Sequence, residues 1–233
     1  MNDDGFLDNP LAKQINILNR YQYYNAEKGW VSFINFRYMN DKKQTGELDF
    51  DSKKDKGTTN YWGSEINTER LDVATKVGYV FPDMPYQSIG FQNAFDSHNQ
   101  HSYFGLNQYN IKQSSYYSNL IFNSIINNTM NKFATGLNFT YDKYQEFVNV
   151  NDYSRIDNSV GAFFEYTYDN GDDFSVILGG RIDNHNRLGT FITPRLHMRY
   201  NPWDKGVLRF SAGRGKRAAN IFAENQPLFA SSR

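Results

Sequence analysis

Large apolar and polar residues alternate with a period of two through most of this chain, and few folds accommodate that pattern over so many segments. In 71–81, Leu71, Val73, Val77, Tyr79 and Phe81 share one face, against Asp72, Ala74, Lys76 and Gly78. The pattern recurs in 133–142, 160–168, 174–183 and 195–200; in the last, Leu196, Met198 and Tyr200 oppose Arg195, His197 and Arg199. A helical period fits almost nowhere. The second face repeatedly carries glycine, asparagine, threonine and charges, which are costly in a dry core, so that face is expected to meet water.

Turn signals divide the alternating runs into about ten strands in five antiparallel hairpins. Short turns are predicted near 25–29, 82–85, 127–129, 169–173 and 201–206, and longer polar loops near 40–68, 96–107, 146–155 and 184–189. Several runs reach the roughly 9–11 residues that a tilted membrane strand needs. Short turns on one side and longer loops on the other are the pattern of a transmembrane β-barrel, with the turns periplasmic and the loops extracellular. Composition supports this: 17 Tyr and 19 Phe occur in a chain of negative mean hydropathy. Aromatic girdles on a two-faced sheet reconcile the two. Rings gather at Tyr21, Tyr23 and Tyr24, at Phe36 and Tyr38, at Tyr166 and Tyr168, and at Tyr200 and Trp203. A soluble β-sandwich or surface β-protein shows similar alternation and stays as an alternative.

Other classes have less to build on. Lysine plus arginine and aspartate plus glutamate both total 25, which argues against a general attraction to nucleic acid. There is no cysteine, and the four histidines lack zinc-site spacing, so no cofactor or metal is expected. No catalytic triad or carboxylate pair stands out, and the chain reads as a non-enzyme. Gly213, Gly215 and Ala218 fit a relaxed dinucleotide fingerprint after the run Val207–Phe210. The strand before them alternates instead of being continuously apolar, and too little chain follows for the acidic partner. Asp49, Asp51 and Asp55 invite a calcium reading, but interleaved lysines and the missing Gly and Glu favour a solvated loop.

Binding candidates come from the predicted loops. Tyr61 and Trp62 fall in 40–68, and His98, His101, Tyr103 and Phe104 fall in 96–107. Exposed rings there suit an aromatic or sugar-bearing ligand, but loop packing or an interfacial girdle is the favoured explanation, since such rings are common in these barrels. Arg181, Asp183, Arg195, His197, Arg199 and Arg209 are expected on polar faces of neighbouring strands. They would form cross-strand pairs or an electropositive path for an anionic ligand.

Three segments together resemble the TonB-dependent outer-membrane receptors. They are Gly179-Gly180-Arg181-Ile182-Asp183, then Thr193-Pro194-Arg195, then the strand carrying Arg209, Ser211, Gly213, Gly215, Arg217, Asn220 and Glu224. Gly5-Phe6-Leu7-Asp8 and Asn19-Arg20 are similar to the early barrel of Bacteroidetes-like members. The resemblance implies a mid-barrel segment of a barrel of about 22 strands whose lumen is plugged. It marks Arg181, Asp183, Pro194, Arg195, Gly213, Gly215, Arg217, Asn220 and Glu224 as barrel-wall motif residues, with Gly213 and Gly215 facing inward and keeping the wall thin. It further implies outer-membrane lipid, a plug domain and a TonB-type energy transducer as partners in the full-length protein. The ligand would be scarce: an iron-siderophore, a corrinoid or a glycan. A passive porin or hydrophobic-solute channel and a soluble adhesin are the alternatives. Met1 to Asp8 read as lacking a signal peptide, and the plug and C-terminal strands are read as missing, so this chain alone is expected not to transport.

Overall fold

The computed structural model describes residues 4–231. Met1–Asp3 and Ser232–Arg233, on which the expectations about signal peptide and chain end partly rest, lie outside the described residues.

The strands are β1 (Leu11–Asn25), β2 (Trp30–Gly46), β3 (Gly63–Val80), β4 (Ser88–Phe104), β5 (Asn107–Ile126), β6 (Asn128–Val148), β7 (Asn151–Asp152), β8 (Arg155–Asp169), β9 (Phe174–His185), β10 (Gly189–Trp203) and β11 (Gly206–Gly213). Ten pair antiparallel in chain order from β1 to β11, and the two-residue β7 pairs with β6. The sheet is open among the described residues. After β11 the chain forms one short helical turn, α1 (Ile221–Glu224), and a 3-10 segment, Gln226–Ser231. No described helix is long and apolar enough to cross a membrane, which says nothing of strands.

Side-chain alternation across this register separates the faces as the sequence predicts. Leu71, Val73 and Val77 line up with Phe95 and Phe91 on the apolar face, while Asp72 faces Arg37 and Asp96 on the polar face. Following neighbours across the sheet reveals its tilt. Trp30 faces Tyr79, then Ile89, Phe122, Thr135, Phe164, Gly180 and Pro194. Trp30 opens β2 next to a turn, whereas Pro194 lies inside β10, well short of Tyr200 near the same end. The apolar band therefore drifts by about one residue per strand. With a rise of ~3.3 Å and a strand spacing of ~4.8 Å, that is a tilt of about 35°, within the range of closed membrane barrels.

Aromatic pairs mark the turn-side edge of the band: Trp30–Tyr79 at 5.0 Å, Phe122–Phe133 at 6.0 Å, Tyr168–Phe174 at 6.2 Å and Phe174–Tyr200 at 6.5 Å between ring centroids. The opposite edge is less simple than predicted. Of the four long loops, only 47–62 is long; the others shrink to 105–106, 149–154 and 186–188. Residues 40–46, 63–68, 96–104, 146–148 and 184–185 are strand. On the turn side, Asn127 alone joins β5 to β6, and 204–205 join β10 to β11. Polar composition there reflects ladders that run on beyond the apolar band, where water can solvate both faces.

Candidate functional site

The most densely bonded cluster sits on the polar face, at the loop ends of β5, β6 and β8. Glu146 is 1% exposed. A lone carboxylate so placed would be very costly, and two groups offset this. The Tyr109 hydroxyl donates to its Oε1 at 2.8 Å. Arg155 donates to Oε2 and lies over the Tyr144 ring, 4.0 Å from its centroid. Arg155 also stands 3.6 Å from Asp157, which takes a further ion pair from Arg187 at 3.1 Å. Burial first, and then the Glu146 carboxylate, push the Tyr109 phenol well above its ordinary value. These strand ends had been expected to be loop, so the alternation Tyr144-x-Glu146 and Arg155-x-Asp157 was not carried into them. That alternation was the available signal.

The chain after β11 returns to this cluster. Arg155 donates its remaining guanidinium group to the Asn220 side chain. Arg217 pairs with Glu224 at 2.6 Å, and the same carboxylate oxygen accepts the Asn220 backbone N–H at 3.1 Å. Arg217 first, then that N–H, hold the Glu224 carboxyl below its ordinary range. Phe222 packs 4.6 Å from Tyr153, and Phe229 packs 5.5 Å from Tyr109 and 5.9 Å from Phe104. Arg217, Asn220 and Glu224 thus form one latch that folds the segment back over the polar face.

Beside the latch is a groove of about 420 Å³ bordered by Asp142, Arg181, Asp183, His185, Gly215 and Lys216. Gly213 is the last residue of β11 and Gly215 lies past it, so the two do not share one strand face as expected. Arg181 grips Asp183 on the same strand, with bonds of 2.7–2.9 Å. Arg195 reaches Glu165, two strands away, across Gly179. His197 meets Ser211 at 2.9 Å, and Arg199 turns to Asn201 at 3.3 Å while facing Arg209 in register. Pro194 faces the apolar side. Of the expected cross-strand pairs, His197–Ser211 joins neighbouring strands, Arg195–Glu165 skips one, and Arg181 pairs within its own strand. Arg181 and Arg195 already hold carboxylates, which weakens the idea of an electropositive path.

A second polar-face cluster lies on β3 and β4. Arg70 bridges Asp72 and Asp96 at 2.8 and 2.7 Å, with His98 in register opposite Arg70.

The predicted binding residues do not share a surface. His98, His101, Tyr103 and Phe104 belong to β4, not to a loop. His98 and Phe104 face the polar side. His101 and Tyr103 face the other, where Lys56 of loop 47–62 lies 4.8 Å from the Tyr103 ring centroid. Tyr61 and Trp62 line a small pocket of about 90 Å³ with Gly105 and Leu106. The aspartates of that loop have a local role: Asp55 accepts the Asp51 backbone N–H at 2.9 Å.

The sequence pattern of the family described as TonB dependent receptor-like, beta-barrel, matches residues 2–230. The fold is similar to the alcaligin outer membrane receptor FauA from Bordetella pertussis, with a TM-score of 0.62 at 10% identity over 86% of this chain and 35% of that one. It is also similar to the siderophore receptor PirA from Pseudomonas aeruginosa, with a TM-score of 0.57 at 10% identity over 91% of this chain and 44% of that one. This chain therefore spans less than half the length of either. No curated protein matches the sequence.

Proposed function

Because this chain belongs to the family of TonB-dependent receptor-like β-barrels, we propose that it builds part of the wall of an outer-membrane receptor that imports a scarce ligand with TonB-delivered energy. The observation that carries this reading is the tilted, two-faced sheet. Its apolar band meets lipid, its polar face lines the lumen, its aromatic turn edge is periplasmic and its latch end is extracellular. An open edge in lipid is untenable, so β1 and β11 pair with further strands of the complete barrel. The charged wall contacts a plug domain, and the wall supplies shape and fixed charge but no covalent chemistry. The ligand is an iron-siderophore, a corrinoid or a glycan. The predicted binding rings Tyr61 and Trp62 keep a place at the extracellular rim in this reading, and His98 moves to the lumen.

The soluble-adhesin alternative leaves the apolar face unexplained, since Leu137, Phe164, Leu178 and Phe210 are exposed along a continuous band. The passive-channel alternative is separated by energy dependence. In the source bacterium, uptake of a labelled siderophore, cobalamin and an oligosaccharide is compared after deleting this gene or the transducer gene. Loss of one ligand's uptake in both strains is expected. Uptake that needs this gene but not the transducer would overturn the reading in favour of a channel.

A further inference from the structure

On the apolar face, charged side chains are confined to the loop end. Lys13, Lys42, Lys112 and Lys143 lie two or four residues beyond Ile15, Tyr38, Tyr116 and Tyr141 on this face of their strands, with Leu11 and Phe147 farther out on β1 and β6. All four are exposed. Because the band drifts by about one residue per strand, these positions fall at one level along its edge. The two acids of the same region, Glu65 and Glu69, lie on β3. Glu69 accepts the Tyr38 hydroxyl at 3.0 Å, and Glu65 stands opposite Tyr103. No ion pair joins any of the four lysines to an acid among the described residues.

The lysines also come in like-charged neighbours. Lys13 and Lys42 are direct register partners on β1 and β2. Lys112 faces Gln145 and Ser114 faces Lys143, so the second pair are diagonal neighbours on β5 and β6. Like charges placed opposite one another, as Lys13 and Lys42 are, destabilise a sheet. Glu65 and Glu69 stand diagonal to Lys42 on β3 without an ion pair to it, and no acid flanks Lys112 or Lys143 on this face among the described residues. A lysine just outside an apolar band keeps its stem along the hydrocarbon and its ammonium at headgroup depth.

We propose that these two lysine pairs are clamps for phosphate groups of an anionic lipid in the leaflet at the loop end. This rests on the membrane-spanning reading above. Each clamp places two ammonium groups around one phosphate. The pairs are four strands apart, about 19 Å at ~4.8 Å per strand, so they hold separate headgroups around the wall.

Native mass spectrometry of the detergent-extracted protein tests this, with diphosphoryl lipid A and phosphatidylethanolamine as probes. Lipid A adducts are expected to exceed phosphatidylethanolamine adducts. They should fall about ten-fold in a variant carrying Lys13→Gln, Lys42→Gln, Lys112→Gln and Lys143→Gln, and hold steady with Lys28→Gln and Lys205→Gln at the turn end. Equal binding of the two lipids, or adducts unchanged in the four-lysine variant, would overturn the proposal. Should that variant fail to fold, the unaltered protein still decides: 0.5 M salt (about three times physiological) must weaken lipid A binding, and salt-insensitive binding overturns it. Competition by inorganic phosphate separates a headgroup site from a free-anion site: displacement at equal concentration overturns the lipid assignment. Recovery of the protein without detergent would refute the membrane reading itself, and loss of TonB dependence would leave lipid binding intact.

Discussion

Arg195 on β10 reaches Glu165 on β8 by lying directly over Gly179 on the strand between them. A Cβ built on Gly179 would stand 2.9 Å from both Cγ and Nε of Arg195. The neighbouring Gly180, on the apolar face, would have nothing within 4 Å. One strand thus carries two adjacent glycines with opposite tolerance, one kept empty by the polar-face bridge and the other free.

Gly179→Ala is expected to lower unfolding stability by about 1–2 kcal/mol, because the arginine must leave its partner or the backbone must shift. Gly180→Ala should change it by less than about 0.5 kcal/mol. Urea titration of the folded protein in detergent compares the two. Equal losses would show that the bridge does not fix the packing there.

The Glu146–Arg155 pair predicts a larger and non-additive effect. Arg155→Ala strands a buried carboxylate and should cost about 3–5 kcal/mol, while the joint change Glu146→Leu with Arg155→Met should cost much less than the sum of the single changes. A double-mutant cycle by urea unfolding measures the difference, and simple additivity would refute the coupling drawn from the geometry.

The β-faces were legible because alternation survives wherever a strand has one apolar side. Leu71, Val73 and Val77 needed no tertiary knowledge. The strand ends above the band were not legible, because a ladder with water on both sides has the same composition as a loop. Phe104-Gly105-Leu106-Asn107 shows the difficulty. Gly105 takes φ 58° and closes a two-residue hairpin turn, a glycine signal present in the sequence but overshadowed by the polar run around it. Misplacing those ends also hid the Glu146 cluster, since its members alternate only if the strands continue. The motif residues Arg217, Asn220 and Glu224 were found by resemblance alone. Their joint role depends on Arg155, which is remote in sequence and close only once β8 is folded.

Two tryptophans at opposite ends of the sheet, Trp30 and Trp62, test the placement of the band. Trp30 opens β2 on the apolar face, whereas Trp62 closes loop 47–62 at the other end and stands 6.1 Å from Phe6 between ring centroids. In bilayers of brominated lipid, single-tryptophan variants should show Trp30 fluorescence quenched and Trp62 spared, since only the former sits at headgroup depth. Equal quenching would require the band to be placed differently.

The Glu224 latch carries a pH dependence whose sign follows from its carboxyl. Arg217 and the Asn220 N–H hold that carboxyl below its ordinary 4.5, so its contribution is fully present above that value. It is lost as the pH falls through the lowered value and the carboxylate takes up a proton. The 217–224 turn should therefore keep its protection near pH 6 and lose part of it near pH 3, where protonated Glu224 no longer pairs with Arg217. Hydrogen exchange at the Asn220 and Glu224 amides, corrected for intrinsic rates, reports this directly. Glu224→Gln should reproduce the acid behaviour at pH 6, because it removes the charge and keeps the shape. The Arg155–Asn220 contact is unaffected by that substitution, so residual protection in the variant measures how much of the latch it holds alone. Protection identical in wild type and variant at both pH values would mean that Asn220, not the Arg217–Glu224 pair, fixes the segment to the wall.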